Sequence, residues 1–214
     1  MNRIVLAGAL FLGVIVATRF PRPESRVPDL PFYQTSDRTP EWITPGAPAY
    51  ARIHRVADFS LVDQDGVTVT GATVAGKVYV ASFFFATCQQ LCPTLRSNLA
   101  KVQEAFRADT NVLILSHTVA PEHDDTAVLQ RYARTNGIVR GKWHLLTGPA
   151  AAIGRLARES YFAQLPDSIN GAPTPALHSE TFVLVDGQHR IRGVYDGSLM
   201  FDVERLIADI HALK

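Results

Sequence analysis

The chain has 214 residues, of which 47% are hydrophobic and 19% charged, enough for one sizeable α/β core with an appendage. Its formal net charge is only +1, and the basic residues form no block. Charge therefore gives no reason to expect nucleic acid or an anionic membrane surface as the main partner, and we expect no nucleic acid. We expect a monomer, because no heptad repeat or long exposed apolar stripe is visible.

The N-terminus carries an uncharged apolar stretch, residues 4–18, between Arg3 and Arg19. This stretch is shorter than the roughly 20 residues of an ordinary spanning helix, so it is either an export signal or an uncleaved membrane anchor, and we favour the anchor. Seven prolines between 21 and 48 predict an extended tether. We therefore predict an anchor or signal at 1–20, a tether at 21–50 and a globular domain at 51–214, on the periplasmic or equivalent side of the membrane.

Hydrophobic periodicity and turn residues predict the elements of the globular domain. In chain order they are a hairpin over 58–69 that turns at Asp65-Gly66, a buried strand over 78–85, a helix from Pro93 to Phe106, a strand over 112–116, a helix ended near Asn136-Gly137, a strand over 143–146, a helix opened by Pro149, a hairpin over 181–194 and a final helix through Ile210. This order is typical of a thioredoxin-like α/β fold. We expect a central mixed sheet flanked by helices, with the first hairpin and the membrane-anchor helix as N-terminal extensions.

Cys88 and Cys92 are the only two cysteines, and they stand where the strand over 78–85 gives way to a helix. At a helix N-terminus the backbone dipole favours thiolate over thiol, and thiolates bind soft metals or exchange disulfides. Because exported proteins often carry disulfides, a purely structural disulfide between these cysteines is an alternative.

A histidine would extend a two-thiolate copper site from Cu(I) to Cu(II). Of seven histidines, His178 is the best candidate, because its loop directly precedes the second hairpin and would face the cysteine turn in a thioredoxin-like fold. His117 and His123 follow the strand over 112–116 and are candidates for supporting the site from beside the ligands. We expect Asp124-Asp125 to be a helix cap rather than a catalytic pair. The other histidines are expected at the surface or in packing: His54, His144, His189 and His211.

Several motifs taken together point to a known family. They are Glu41-Trp42, the segment 58–66, the phenylalanine-rich strand followed by Cys-x-x-x-Cys-Pro, Pro121-Glu122, the segment Trp-His-Leu-Leu-Thr-Gly at 143–148, and the hairpin after His178. On these motifs the chain resembles the Sco/SenC family of thioredoxin-fold copper proteins. The resemblance implies that Cys88, Cys92 and His178 bind copper, as Cu(I) and Cu(II), and that the protein serves the dinuclear copper site of cytochrome c oxidase.

Two positions depart from the pattern of that family. Many members have an acidic residue between the cysteines, where this chain has Gln89, Gln90 and Leu91. Many also have an aspartate before Pro-Glu, where this chain has Ala120. The loss of negative charge should change copper affinity, redox potential or partner choice, although all three ligands are present.

Two functions from different classes follow. The first is a membrane-tethered copper metallochaperone whose partner is the copper-accepting subunit of cytochrome c oxidase or another extracytoplasmic cuproprotein. The second is a thiol-disulfide oxidoreductase in which Cys88 and Cys92 form the redox pair and reduce a partner's cysteines. A redox or copper sensor, or a structural disulfide alone, is a third interpretation. A peroxidase is disfavoured, because Gln89 and Gln90 supply neither a base nor a cation to stabilise an anion.

Overall fold

The structure, a computed structural model, describes residues 30–89, 91–163 and 180–214. Its strands are β1 (Phe32–Tyr33), β2 (Pro40–Glu41), β3 (Ser60–Val62), β4 (Thr68–Thr70), β5 (Val78–Phe84), β6 (Val112–Thr118), β7 (Trp143–Leu146), β8 (Thr181–Val185) and β9 (Ile191–Asp196). Its α-helices are α1 (Gly71–Val74), α2 (Cys92–Ala105), α3 (Thr126–Thr135), α4 (Ala150–Arg155) and α5 (Met200–Ala212). A 3-10 turn covers Tyr50–Arg52, and a π-helical turn, Leu156–Ser160, extends α4.

A five-stranded sheet in the order β7-β6-β5-β8-β9 forms the centre of the molecule. β5, β6 and β7 run parallel, while β8 and β9 are antiparallel to their neighbours. Every residue of β5, β6 and β7 is buried, as is expected of parallel strands covered on both faces. The predicted central mixed sheet is confirmed.

Alternate side chains of β5 point into two separate cores. Val80 and Phe84 pack with residues of α2, α3 and α5, and we call this side of the sheet the α2 face. Tyr79, Ala81 and Phe83 pack with the β3-β4 hairpin, α1 and α4, and we call this side the hairpin face. Helices therefore flank both sides of the sheet, as predicted.

The β3-β4 hairpin turns at Asp65 and Gly66. Gly66 has a φ of 76°, which suits glycine, and the Asp63 carboxylate accepts hydrogen bonds from the backbone N–H of Asp65 and Val67, both at 2.9 Å. The hairpin also joins the central sheet at one point, where Val62 and Thr147 exchange backbone hydrogen bonds of 2.9 and 2.8 Å. This contact fixes the hairpin over β7.

Residues 30–52, which we call the strap, pack against the edge strand β9. Phe32 is buried, and the Arg192 guanidinium lies 4.2 Å from the centre of its ring. Arg192 also donates hydrogen bonds to the carbonyls of Leu30 and Pro31. The packed domain thus begins at least 20 residues before the predicted boundary at 51, because an aromatic side chain and a buried arginine fix this part of the proline-rich segment.

The predicted anchor or signal at 1–20 and the first part of the predicted tether lie outside the described residues. Within the described residues, no helix combines the length and the apolar character needed to cross a membrane.

Candidate metal centre

The two cysteines lie at the carboxyl end of β5, on either side of a short loop. Cys88 is partly exposed and its backbone N–H donates to the Phe85 carbonyl at 3.2 Å, which closes a turn. Cys92 is the first residue of α2 and is buried, with Pro93 behind it in the first turn. Proline suits this position because its backbone angle is already helical and its missing N–H would have no partner there. The predicted placement of the cysteines between strand and helix therefore agrees with the structure.

Neither cysteine is in a disulfide, and the Cys88 side chain lies close enough to Cys92 to influence its pKa. Burial raises the pKa of Cys92 to about 12, and the proximity of Cys88 acts in the same direction. Hydrogen bonds from the backbone of Phe85 and Cys92 oppose this shift but are smaller. At Cys92, desolvation therefore outweighs the preference for thiolate that was expected near the helix N-terminus. A metal that binds this thiol must displace its proton.

Asp124 ties the cysteine loop to the end of β6. Its carboxylate is buried and accepts hydrogen bonds from the backbone N–H of Ala86, at 3.0 Å, and from the Thr118 hydroxyl. The Thr118 hydroxyl in turn accepts from the N–H of Ala120 at 3.1 Å. Asp125, its neighbour, caps α3 by accepting from Val128 N–H at 2.7 Å. The predicted cap is therefore Asp125, while Asp124 holds a backbone segment two residues before Cys88.

A buried polar network lies beneath Cys92 on the α2 face. Ser82 and Ser116 face each other across β5 and β6, with 2.7 Å between their hydroxyl oxygens. The indole N–H of Trp143 donates to Ser116 at 2.9 Å. A cavity of about 20 Å³ adjoins these groups and Cys92. That volume holds about one water molecule, so the space beneath Cys92 is nearly filled.

His117 lies one residue along from Ser116 and points to the opposite, hairpin face. It is completely buried, its ring stacked on Phe83 with 5.2 Å between ring centres, and close to the rings of Phe59 and Tyr161. Nδ1 lies 3.3 Å from the Ser82 carbonyl oxygen, while Nε2 has no hydrogen-bond partner. Burial lowers the pKa of His117 to about 4, so the ring is neutral at physiological pH.

The remaining histidines occupy varied positions. His123 is exposed, His54 contacts the Ser160 carbonyl at 2.8 Å, and His144 contacts the Asp63 carboxylate at 2.8 Å. His178 falls outside the described residues, so its position relative to the cysteines stays a prediction. In the part of the chain that the structure describes, no group of three or more histidine, cysteine, aspartate or glutamate residues could hold a metal ion.

Sequence reasoning missed two residues that make long-range hydrogen bonds. Asp124 was grouped with Asp125 as a cap, because nothing in an Asp-Asp pair reveals a hydrogen bond to Ala86, 38 positions earlier. Arg38, in the strap, donates to the Phe162 carbonyl at 2.9 Å and to the Thr181 hydroxyl at 3.2 Å. No local pattern signals these contacts, since they span more than 120 residues of chain.

The sequence profile of the SCO1/SenC family matches residues 48–214, which include both cysteines, Asp124 and all five strands of the central sheet. This chain belongs to the SCO1/SenC family. Most of the strap, residues 30–47, lies before the matched region.

Solved structures of this family share the fold. A SCO1/SenC family lipoprotein from Bacillus anthracis is 26% identical, with a TM-score of 0.67 over 75% of this chain and 95% of the other. BsSco, described as a member of the Sco family of cytochrome c oxidase assembly proteins with a disulfide switch, is 24% identical, with a TM-score of 0.65 over 75% and 94%. Bradyrhizobium japonicum ScoI, solved with copper bound, is 23% identical, with a TM-score of 0.61 over 75% and 99%. The last two likenesses concern the fold alone.

Proposed function

We propose that the protein is a copper metallochaperone that binds Cu(I) and Cu(II) through Cys88, Cys92 and His178. The observation that carries the proposal is the placement of two free cysteines between the carboxyl end of β5 and the first turn of α2. A pair of sulfur ligands selects copper over hard cations, and an imidazole accommodates both oxidation states. The copper-bound state of Bradyrhizobium japonicum ScoI supports the choice of metal.

The unequal exposure of the two sulfurs supports a role in transfer rather than in storage. Cys88 is partly exposed and Cys92 is buried, so copper is accessible from the side of Cys88. An acceptor's thiolate can replace Cys88 first and Cys92 later, with one metal–sulfur bond formed for each one broken. A three-ligand site leaves room for that incoming ligand, and the proton lost by Cys92 on loading returns when copper leaves.

The recipient we propose is the copper-accepting subunit of cytochrome c oxidase, or another extracytoplasmic cuproprotein. The description of BsSco as a member of a family of cytochrome c oxidase assembly proteins supports this choice. We also propose that residues 1–20 anchor the chain, with the domain outside the cytoplasm. The lipoprotein nature of the Bacillus anthracis relative supports attachment to a membrane.

Thiol-disulfide exchange is the second candidate function, favoured by the same pair of cysteines. Cys88, as a thiolate, would attack a partner's disulfide and form a mixed disulfide, releasing one partner thiolate. Cys92 would then give its proton to the released partner thiolate and attack the Cys88 sulfur, which forms the Cys88-Cys92 disulfide and releases the second partner sulfur as a thiolate. The partner gains two electrons and this chain loses two. The disulfide switch described for BsSco supports this possibility.

Copper titration under anaerobic conditions tests the first function. The reduced full chain should bind one equivalent of Cu(I) and one of Cu(II), with a sulfur-to-copper charge-transfer band for Cu(II). His178→Ala should lose that band and bind Cu(II) much more weakly, because the third ligand is gone. Replacing His211, an exposed histidine of α5, with Ala is the matched control and should change neither.

Disulfide exchange measured on the same proteins separates the two functions. His178→Ala should still reduce a model disulfide at nearly the wild-type rate, because only the cysteines take part. Failure of the wild-type chain to bind either copper ion above background would contradict the chaperone and leave the oxidoreductase.

A further inference from the structure

Arg96 is the charged residue nearest to Cys92 along the chain. Residues 78–95, which include both cysteines, carry no charged side chain. Arg96 follows Cys92 by four positions in α2, so the two residues lie on the same face of the helix, one turn apart. A long side chain on a helix leans towards the helix N-terminus and covers the turn before its own Cα. This geometry directs the Arg96 side chain towards the turn that begins at Cys92.

A shared cavity connects Arg96 with the cysteine site. The cavity of about 20 Å³ beneath Cys92 is lined by both residues and by Tyr132 of α3. Tyr132 is half-buried and packs on Phe84, with 5.5 Å between the ring centres. Burial raises the pKa of Tyr132 to about 12, the Arg96 charge opposes that shift, and both cysteines add to it. Arg96 and the two cysteines therefore lie within electrostatic reach of the same phenol.

The positive charge of Arg96 is not neutralised by a direct contact with another described side chain. Within the residues that the structure describes, its guanidinium has neither a hydrogen-bond partner nor an ion-pair partner. Asp124, the carboxylate that also acts on Tyr132, is stabilised by the Ala86 N–H and the Thr118 hydroxyl. Because Arg96 is only partly exposed, water screens its charge incompletely. The charge is therefore available to a charged group at the cysteines.

The two oxidation states of copper give a site with two thiolates different charges. Cu(I) with two thiolates has one net negative charge, whereas Cu(II) with two thiolates is neutral, and a neutral imidazole changes neither total. A nearby positive charge stabilises the anionic Cu(I) state and has much less effect on the neutral Cu(II) state. The position of Arg96 thus distinguishes between the two oxidation states.

We propose that Arg96 increases the preference of the cysteine site for Cu(I) over Cu(II), through the charge of its guanidinium and without binding the metal. The proposal rests on the proposed function, in which Cys88 and Cys92 bind copper as thiolates. It requires no particular third ligand, because the difference in charge comes from the metal ion. Residues 89–91, between the cysteines, include no acidic side chain that would oppose the effect.

Copper affinities of the full chain test the proposal, measured anaerobically for Cu(I) and for Cu(II) by competition with chelators of known affinity. Arg96→Gln removes the charge and should lower the ratio of Cu(I) affinity to Cu(II) affinity about tenfold, the order expected for one charge a helical turn away at a partly exposed site. Most of the change should be a loss of Cu(I) affinity. For a one-electron couple, a tenfold change in this ratio lowers the reduction potential of the bound copper by about 59 mV.

Two variants and a salt series separate charge from shape. Arg96→Lys keeps the charge but not the planar fork, and it should keep the affinity ratio close to that of the wild type. Arg107→Gln, the matched control, removes an exposed arginine beyond the end of α2 that pairs with Glu104, and it should leave the ratio unchanged. At 1 M salt the Debye length falls to about 3 Å, so the difference between the wild type and Arg96→Gln should shrink.

A wild-type affinity ratio in Arg96→Gln would overturn the proposal. Equal changes in Arg96→Gln and Arg96→Lys would overturn it too, since that result indicates that the shape of arginine matters rather than its charge. Equal losses of Cu(I) and Cu(II) affinity would indicate a structural role and would also contradict it. If the wild-type chain binds neither ion, the proposed function fails and this inference fails with it, an outcome that is recognised without any Arg96 variant.

Discussion

Two neighbouring residue pairs of β5 and β6 differ in whether their buried polar atoms have hydrogen-bond partners. Ser82 and Ser116 form one register pair and face α2, where their hydroxyls and the Trp143 indole make a closed set of hydrogen bonds. Phe83 and His117 form the next pair and face the hairpin, where His117 Nε2 is buried without a partner. A step of one residue along the strands thus separates a satisfied polar network from an unsatisfied one.

The two faces of the sheet differ in how their buried polar groups are paired. On the α2 face, Asp124 and the serine network support the cysteine loop from residues of the domain itself. On the hairpin side, the two buried side-chain polar atoms that lack partners among the described residues are His117 Nε2 and Arg38 Nε. Among the described residues, the buried polar groups of the α2 face are therefore paired, whereas the hairpin side keeps two that are not.

Removing the Asp124 carboxylate, which supports the cysteine loop, should lower the free energy of unfolding most. Asp124→Ala leaves the Ala86 N–H and the Thr118 hydroxyl without their acceptor, and the free energy of unfolding should fall by about 4 kcal/mol. Urea unfolding of the metal-free chain measures the loss. Asp125→Ala, the matched control, removes a helix cap and should cost about 1 kcal/mol. Equal losses in the two variants would show that Asp124 has no special role in the cysteine loop.

Lowering the pH should destabilise the folded chain through His117, which lies on the hairpin face. Burial lowers the pKa of His117 to about 4, against 6.5 for an ordinary histidine. Between pH 6.5 and 4 the unfolded chain takes up a proton that the folded chain does not, so the free energy of unfolding falls as pH falls, by about 3 kcal/mol in total. Above pH 6.5 this loss is absent. Urea unfolding at a series of pH values measures it.

His117→Phe should flatten that dependence, because phenylalanine does not titrate. His123→Gln, which removes an exposed histidine, should keep the wild-type profile. A wild-type profile in His117→Phe would mean that another group causes the acid sensitivity.

Removing one hydroxyl from the network of Ser82, Ser116 and Trp143 should lower the free energy of unfolding by less. Ser116→Ala removes the acceptor of the Trp143 indole N–H and the partner of the Ser82 hydroxyl, and stability should fall by about 2 kcal/mol. Thermal or urea unfolding checks this value. Unchanged stability would indicate that a water molecule in the adjoining cavity replaces the lost hydroxyl. The Ser82 and Trp143 groups would then not depend on Ser116 for their hydrogen bonds.

Sequence patterns predicted the sheet well because its strands are long, apolar and bounded by turn residues. The strand at Trp143–Leu146 has the predicted limits, and Cys92 stands in the first turn of a helix as expected. The protonation of Cys92 was not predictable, because it depends on burial beneath β5 and the loop rather than on local sequence. The long-range hydrogen bonds that Asp124 accepts and Arg38 donates leave no local signal for the same reason.

The central claim is that Cys88, Cys92 and His178 bind one copper ion together. X-ray absorption of the full chain loaded with one equivalent of Cu(II) tests it most directly, since the method identifies the atoms bonded to the metal. We predict two sulfur neighbours and at least one imidazole nitrogen in the wild type, and loss of that imidazole with both sulfurs kept in His178→Ala. Fewer than two sulfurs in the wild type, or an unchanged imidazole contribution in the variant, would contradict the account.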